Sequence, residues 1–179
     1  MFEVEVKFRV SDLNTVEPIV RGFAAFLEED IEEDHYFQHP CRDFSKTDEA
    51  LRVRVYGNGR VTVTYKGPRV RGPGKARVEY NIDVEPLEEA LNALKALGFV
   101  EVAVIRKRRR IYTFGSYTIY LDSVEGLGNF VEVETMVSDE SLVSRAMGEV
   151  IEFAKSRLGL GEALIEPRTY LELALGKVS

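Results

Sequence analysis

Leu51-Arg52-Val53-Arg54-Val55-Tyr56, Gly57-Asn58-Gly59-Arg60 and Val61-Thr62-Val63-Thr64-Tyr65-Lys66 follow one another without a break. Side chains two apart in a strand share a face, so Arg52 and Arg54 lie opposite Leu51, Val53 and Val55. Thr62, Thr64 and Lys66 are likewise set against Val61, Val63 and Tyr65. The glycine-bearing turn between the two runs makes them a β-hairpin with one apolar and one charged face.

The same alternation recurs outward from this hairpin. Glu3, Glu5 and Lys7 oppose Val4, Val6 and Phe8, and Arg77 and Glu79 oppose Ala76, Val78 and Tyr80. Lys107 and Arg109 fall in the strand-like run Val102 to Tyr112, with Arg108 on the other face. Tyr120 and Asp122 alternate with Ile119 and Leu121, and Glu132 and Glu134 with Val131 and Val133. With a short strand at His35 to Phe37, the total is about eight, antiparallel because most connections are short turns.

Three stretches carry helical spacing instead. Val16, Val20, Phe23 and Leu27 predict a helix from near Leu13 to Leu27, with Ser11 or Asp12 as its cap. Pro86 opens a second, with Leu87, Leu91 and Leu94 on one stripe and Gly98 as its stop. A third runs from about Ser138 to Leu158, ended by Gly159. No linker or repeat interrupts the pattern, so residues 1–179 are expected to form a single α+β domain.

Composition narrows the class. The chain has 179 residues, 45% of them hydrophobic and 30% charged, which excludes a disordered or collagen-like polymer. Cys41 is the single cysteine, so no intramolecular disulfide and no Cys/His zinc site can form, and an intracellular, cytoplasmic protein is expected. Charged Glu3-Val4-Glu5-Val6-Lys7 comes right after Met1-Phe2, predicting no signal peptide, and the longest apolar run is far short of the roughly 18 residues that would span a bilayer. A net charge of −6 argues against general nucleic-acid binding. In the run Arg106 to Arg110, alternation points only Lys107 and Arg109 the same way.

A solvated sheet face would also alternate, but two facts favour an inward charged face. Three amphipathic helices are available to cover the apolar faces from outside, and about eight strands are enough to close a barrel. The signs are also segregated, Glu3, Glu5, Asp122, Glu132 and Glu134 against Arg52, Arg54, Lys66, Lys107 and Arg109. Grouped carboxylates without His or Cys suit a hard divalent cation such as Mg²⁺ or Mn²⁺. Converging Arg and Lys suit a polyphosphate.

These residues resemble the CYTH, or triphosphate tunnel metalloenzyme, family, whose hallmark Glu-x-Glu-x-Lys appears as Glu3-Val4-Glu5-Val6-Lys7. The match continues through Glu49 to Arg54, Thr64 to Pro68, Arg77-Val78-Glu79, Lys107-Arg108-Arg109, Leu121-Asp122, Gly126 to Glu134 and Glu166 to Leu173. The resemblance implies an eight-stranded antiparallel tunnel, a divalent metal (Mg²⁺ or Mn²⁺) and a triphosphate substrate. It implies metal binding by Glu3, Glu5, Glu79, Asp122, Glu132 and Glu134. Catalytic roles fall to Lys7, Arg52, Arg54 and Lys66, and phosphate binding to Arg77, Lys107, Arg109 and Arg168. Asp34 to Phe37, His39-Pro40 and Arg42 to Leu51 look most like class IV adenylyl cyclases, which make cyclic AMP and pyrophosphate from ATP. Thiamine and inorganic triphosphatases share the phosphate-binding residues, and a non-catalytic polyphosphate or nucleotide binder would retain them. The expected partner is a triphosphate small molecule, without nucleic acid or membrane, for a monomer or homodimer. His35, His39 and Cys41 stay outside the expected catalytic set. The loop Gly67 to Lys75 reads as a solvated turn, with closure over the tunnel mouth as the alternative.

Overall fold

The computed structural model describes residues 2–69 and 75–176. Nine strands form one antiparallel sheet: β1 (Phe2–Val10), β2 (Ala25–Gln38), β3 (Ala50–Tyr56), β4 (Val61–Lys66), β5 (Lys75–Arg77), β6 (Glu79–Val84), β7 (Val100–Phe114), β8 (Tyr117–Val124) and β9 (Gly128–Val137). Their order is β5-β1-β9-β8-β7-β2-β3-β4-β6. The two ends of that order are consecutive in the chain and separated only by Val78. β5 pairs with β1 (Glu3 opposite Arg77) and β6 with β4 (Lys66 opposite Glu79). One interrupted strand thus bridges the sheet's two edges and makes a nearly closed barrel. The expected eight strands become nine at this interruption.

Helices α1 (Leu13–Arg21), α2 (Phe44–Thr47), α3 (Leu87–Ala96), α4 (Val143–Leu158) and α5 (Tyr170–Ala174) complete the fold. The outward faces of β1, β8 and β9 present Val4, Val6, Phe8, Ile119, Leu121, Val131 and Val133. These pack with Val16 and Val20 of α1 and Val143, Met147, Val150 and Ala154 of α4. Leu87, Leu91 and Leu94 of α3 cover Phe37, Leu51, Val53 and Val61. Each such burial contributes about 1.5–3 kcal/mol, which favours turning the apolar faces outward to the helices and the charged faces into the lumen. Among the described residues no helix is long and apolar enough to cross a membrane.

Two elements depart from expectation. The first helix ends at Arg21 rather than Leu27, and the chain is extended from Ala25, so β2 spans 14 residues where a short strand at His35 to Phe37 was expected. The reason lies across the sheet. Its acidic run Glu28 to Asp34 pairs with β7, which is basic on both faces. Inside, Glu32 and Asp34 meet Lys107; outside, Glu33 meets Arg106 and Glu29 meets Arg108. A strand charged on both faces shows no hydrophobic period, so only its partner reveals it. The third helix begins at Val143 after a 3₁₀ turn at Glu140–Leu142, and Gly159 ends it with φ 69°. Of the expected loop Gly67 to Lys75, residues 70–74, Arg71 and Gly72-Pro73-Gly74 among them, lie outside the described residues.

Candidate active site

The barrel encloses a cavity of about 490 Å³. Its charged lining is Glu3, Glu5 and Lys7 of β1, Arg52 and Arg54 of β3, Lys66 of β4, Arg77 of β5, Glu79 of β6, Lys107 and Arg109 of β7, and Glu132 and Glu134 of β9, with Asp48, Glu49 and Glu172 from outside the strands. Tyr36, Tyr120 and Tyr170 also face it, and Phe37, Phe44, Val102, Leu171 and Leu175 form an apolar portion.

Four of the cations are matched by buried acids. Arg54 Nε and Nη2 donate to Asp34 Oδ1 and Oδ2 at 2.5 and 2.8 Å, and Arg54 Nη1 lies 2.9 Å from Glu32 Oε2. Lys107 Nζ lies 2.9 Å from Glu32 and 2.8 Å from Asp34. Arg109 donates twice to Asp122, at 2.7 and 2.5 Å, and once to Glu132 at 2.5 Å. Lys7 Nζ sits 3.1 Å from Glu132 and 3.6 Å from the centre of the Tyr170 ring. Burial alone would favour the neutral acids, yet Lys107, Arg109 and Arg54 hold Glu32 down to about 2. Against the same opposing burial, Lys107, Arg54 and Arg52 hold Asp34 well below the usual carboxylate range.

Elsewhere in the lining, like charges face one another. Glu5 lies directly opposite Glu134 in the β1–β9 ladder, and Glu3 stands two residues along on the same face. Burial and repulsion from Glu3 and Glu5 push Glu134 up to about 8. Burial, with repulsion from Glu79 and Glu5 and against the pull of Lys66, pushes Glu3 up to about 7. Beside them stand three cations. Lys66 pairs closely with Glu79 and lies 3.8 Å from Glu3. Arg77 has Asp48 at 3.8 Å, and burial lowers its pKa. Arg52 donates from Nη2 to Thr64 Oγ1 at 3.2 Å, while its buried Nε has no hydrogen-bond partner.

The CYTH domain model matches residues 1–170. The chain belongs to the CYTH family. A relative from Methanocaldococcus jannaschii carrying a provisional adenylate cyclase name is 39% identical over 97% of this chain and 98% of its own. The adenylate cyclase CyaB of Aeromonas hydrophila is 31% identical over 96% of this chain and 88% of its own. The solved structure of a Pyrococcus horikoshii protein is 40% identical, with a TM-score of 0.90 over 97% of this chain and 98% of that one.

In this CYTH domain, two of the expected site residues stand apart from the cavity lining. Asp122 is wholly buried and spends both oxygens on Arg109, with Tyr170 Oη donating to Oδ2 at 2.6 Å. Both of its oxygens are thus taken up by donors of the barrel wall. Arg168 is held by Glu166 at 2.7 and 2.8 Å away from the lining. Lys107 and Arg109 do point inward and Arg108 outward, but the inward pair is bound to acids of the barrel itself.

Sequence reasoning missed Glu32, Asp34 and Tyr170. The first two belong to the strand whose pattern was hidden. Tyr170 opens a helix too short to show a period, capped by Thr169 and Glu172 and tied down by Arg69.

The carboxylates of Glu3, Glu5 and Glu134 fit a divalent cation by donor chemistry: they are all oxygen, partly buried, and mutually repulsive. Among the described residues no three acids, histidines or cysteines stand as a closed ligand set, so side chains would have to turn to receive an ion. Glu3, Glu5 and Glu134 are the group whose electrostatics a cation would relieve.

Proposed function

We propose that this CYTH domain is a divalent-metal-dependent enzyme that converts ATP to cyclic AMP and pyrophosphate within the barrel. One observation supports it above the others: a single cavity joins a cluster of facing carboxylates and cations to an apolar portion at Phe37, Phe44, Val102, Leu171 and Leu175. A phosphate chain suits the first and an organic group the second, and about 490 Å³ lies within the ordinary range for a small-molecule site.

On this reading Arg52, Lys66 and Arg77 meet the phosphate oxygens, with Arg52 Nε as an available donor. Glu3, Glu5 and Glu134, with Glu79 and Glu132 beside them, would hold Mg²⁺ or Mn²⁺. That ion, when bound, neutralises phosphate charge and polarises the phosphorus that is attacked. Lys7, Arg54, Lys107 and Arg109, each already matched by a buried acid, form the rigid wall behind the phosphates. The walls exclude water and hold the ribose 3′-hydroxyl beside the α-phosphorus, so that its oxygen displaces pyrophosphate, which takes up the hydroxyl proton and leaves toward the cations.

Arg52→Ala is expected to lower kcat/KM about 10- to 100-fold, the scale of one charge-assisted hydrogen bond worth roughly 1.5–3 kcal/mol. Folding should be little affected, because Thr64 keeps its bond to Asn81 and Asp34 keeps Arg54 and Lys107. Steady-state kinetics beside a denaturant midpoint check both halves of that statement.

The reaction itself is tested by incubating the protein separately with ATP, thiamine triphosphate and tripolyphosphate, then separating the products by chromatography. Cyclic AMP with pyrophosphate is expected. Orthophosphate without cyclic nucleotide would replace the cyclase reading with a triphosphatase. Tight binding without any product would leave a polyphosphate sensor.

A further inference from the structure

We infer that Asp34 is a positioning residue that divides the tunnel's cations, holding Arg54 and Lys107 back and leaving Arg52 to the substrate. The inference rests on the triphosphate reading above. Asp34 is fully buried, does not touch the cavity, and stands where cations from β3 and β7 converge. Its Oδ1 takes Arg54 Nε at 2.5 Å, and its Oδ2 takes Arg54 Nη2 and Lys107 Nζ, each at 2.8 Å. Arg52 Nη1 is left at 3.9 Å, too far for a hydrogen bond. Arg52, Arg54 and Lys107 all line the cavity, yet only Arg52 has a buried donor with no partner.

The geometry implies a competition that Asp34 settles. A triphosphate entering the cavity meets several cations, and its register depends on which of them can move toward it. Bidentate pairing fixes the plane of Arg54, and the shared oxygen fixes Lys107, so neither follows the phosphates. Without the Asp34 carboxylate, Arg54 and Lys107 would share Glu32, 2.9 Å from each, and with half of their anionic charge gone both would lean toward the phosphate chain and draw it deeper than the reactive position. The substrate would then bind at least as well and react less.

Asp34→Asn keeps the shape and removes the charge. In the folded variant kcat should fall about tenfold or more, while KM does not rise. Calorimetric titration with tripolyphosphate, without turnover, should show binding at least as tight as in the wild type. Weaker binding, a loss carried by KM, or wild-type kcat would overturn the inference. If the wild type turns over none of the triphosphates, the proposed reaction fails while the calorimetric comparison still judges Asp34.

Should Asp34→Asn not fold, the wild-type protein decides by NMR of its arginine Nε–H groups, assigned through Arg52→Lys and Arg54→Lys. On adding tripolyphosphate, the Arg52 signal should move and the Arg54 signal should stay in place and exchange slowly. Equal movement of both would overturn the assignment.

Discussion

Arg109→Ala is expected to cost this protein its fold, at about 3–5 kcal/mol, rather than only its hold on phosphate. The guanidinium is buried and spends its donors on Asp122 and Glu132. Deleting it leaves two carboxylates in the barrel wall, with Lys7 and the Tyr170 hydroxyl as the groups still facing them. A typical domain has about 5–15 kcal/mol in all, so the loss is a large part of the total. Arg108→Ala, one residue away, should change stability by less than about 0.5 kcal/mol. Its side chain is 60% exposed and meets Glu29 at 3.4 Å. Denaturant titration of both variants checks the contrast, and an unshifted midpoint for Arg109→Ala would mean that the buried network does not hold the barrel.

Glu134→Gln should have the opposite profile, sparing the fold and removing activity. Its folded pKa of about 8 lies above the ordinary value of 4.5, as does that of Glu3 at about 7. A carboxyl group raised in this way contributes stability that is full below its unfolded pKa and is lost as pH rises through its folded one. Without divalent ions, the wild type should therefore lose stability between about pH 4.5 and 8, and Glu134→Gln should lose less across that window. Added Mg²⁺ should stabilise the wild type at pH 8 more than the variant, by mass action on the folded state. Turnover should fall about 100-fold or more, the scale of losing one electrostatic stabiliser of a transition state. Thermal midpoints against pH, with and without Mg²⁺, measure the stability half. A variant with an equally steep pH dependence would show that Glu134 is not part of a repelling cluster.

The barrel was legible because its strands alternate strictly: Val4, Val6, Val53, Val61, Val131 and Val133 all face outward as spacing requires. The charged lumen was legible for the same reason, since the intervening residues had to face inward. Alternation gives the face of a residue but not its partner. Lys107 and Arg109 therefore looked like phosphate contacts, although the barrel supplies acids for both. Those acids come partly from β2, whose run of carboxylates on both faces has no period to detect. Asp122 and Glu132 look alike in sequence, yet Glu132 reaches the cavity and Asp122 is locked between Arg109 and Tyr170. That distinction depends on the seating of a five-residue helix, α5, which local spacing does not specify.

The oxygen-only cluster at Glu3, Glu5 and Glu134 should make triphosphate turnover depend on a divalent cation. Its most direct test is to strip the protein with EDTA, remove the chelator, and follow ATP, thiamine triphosphate and tripolyphosphate as Mg²⁺ or Mn²⁺ is returned. No product is expected before the metal is added, and turnover of at least one triphosphate should return afterwards. Full turnover in metal-free buffer would contradict it.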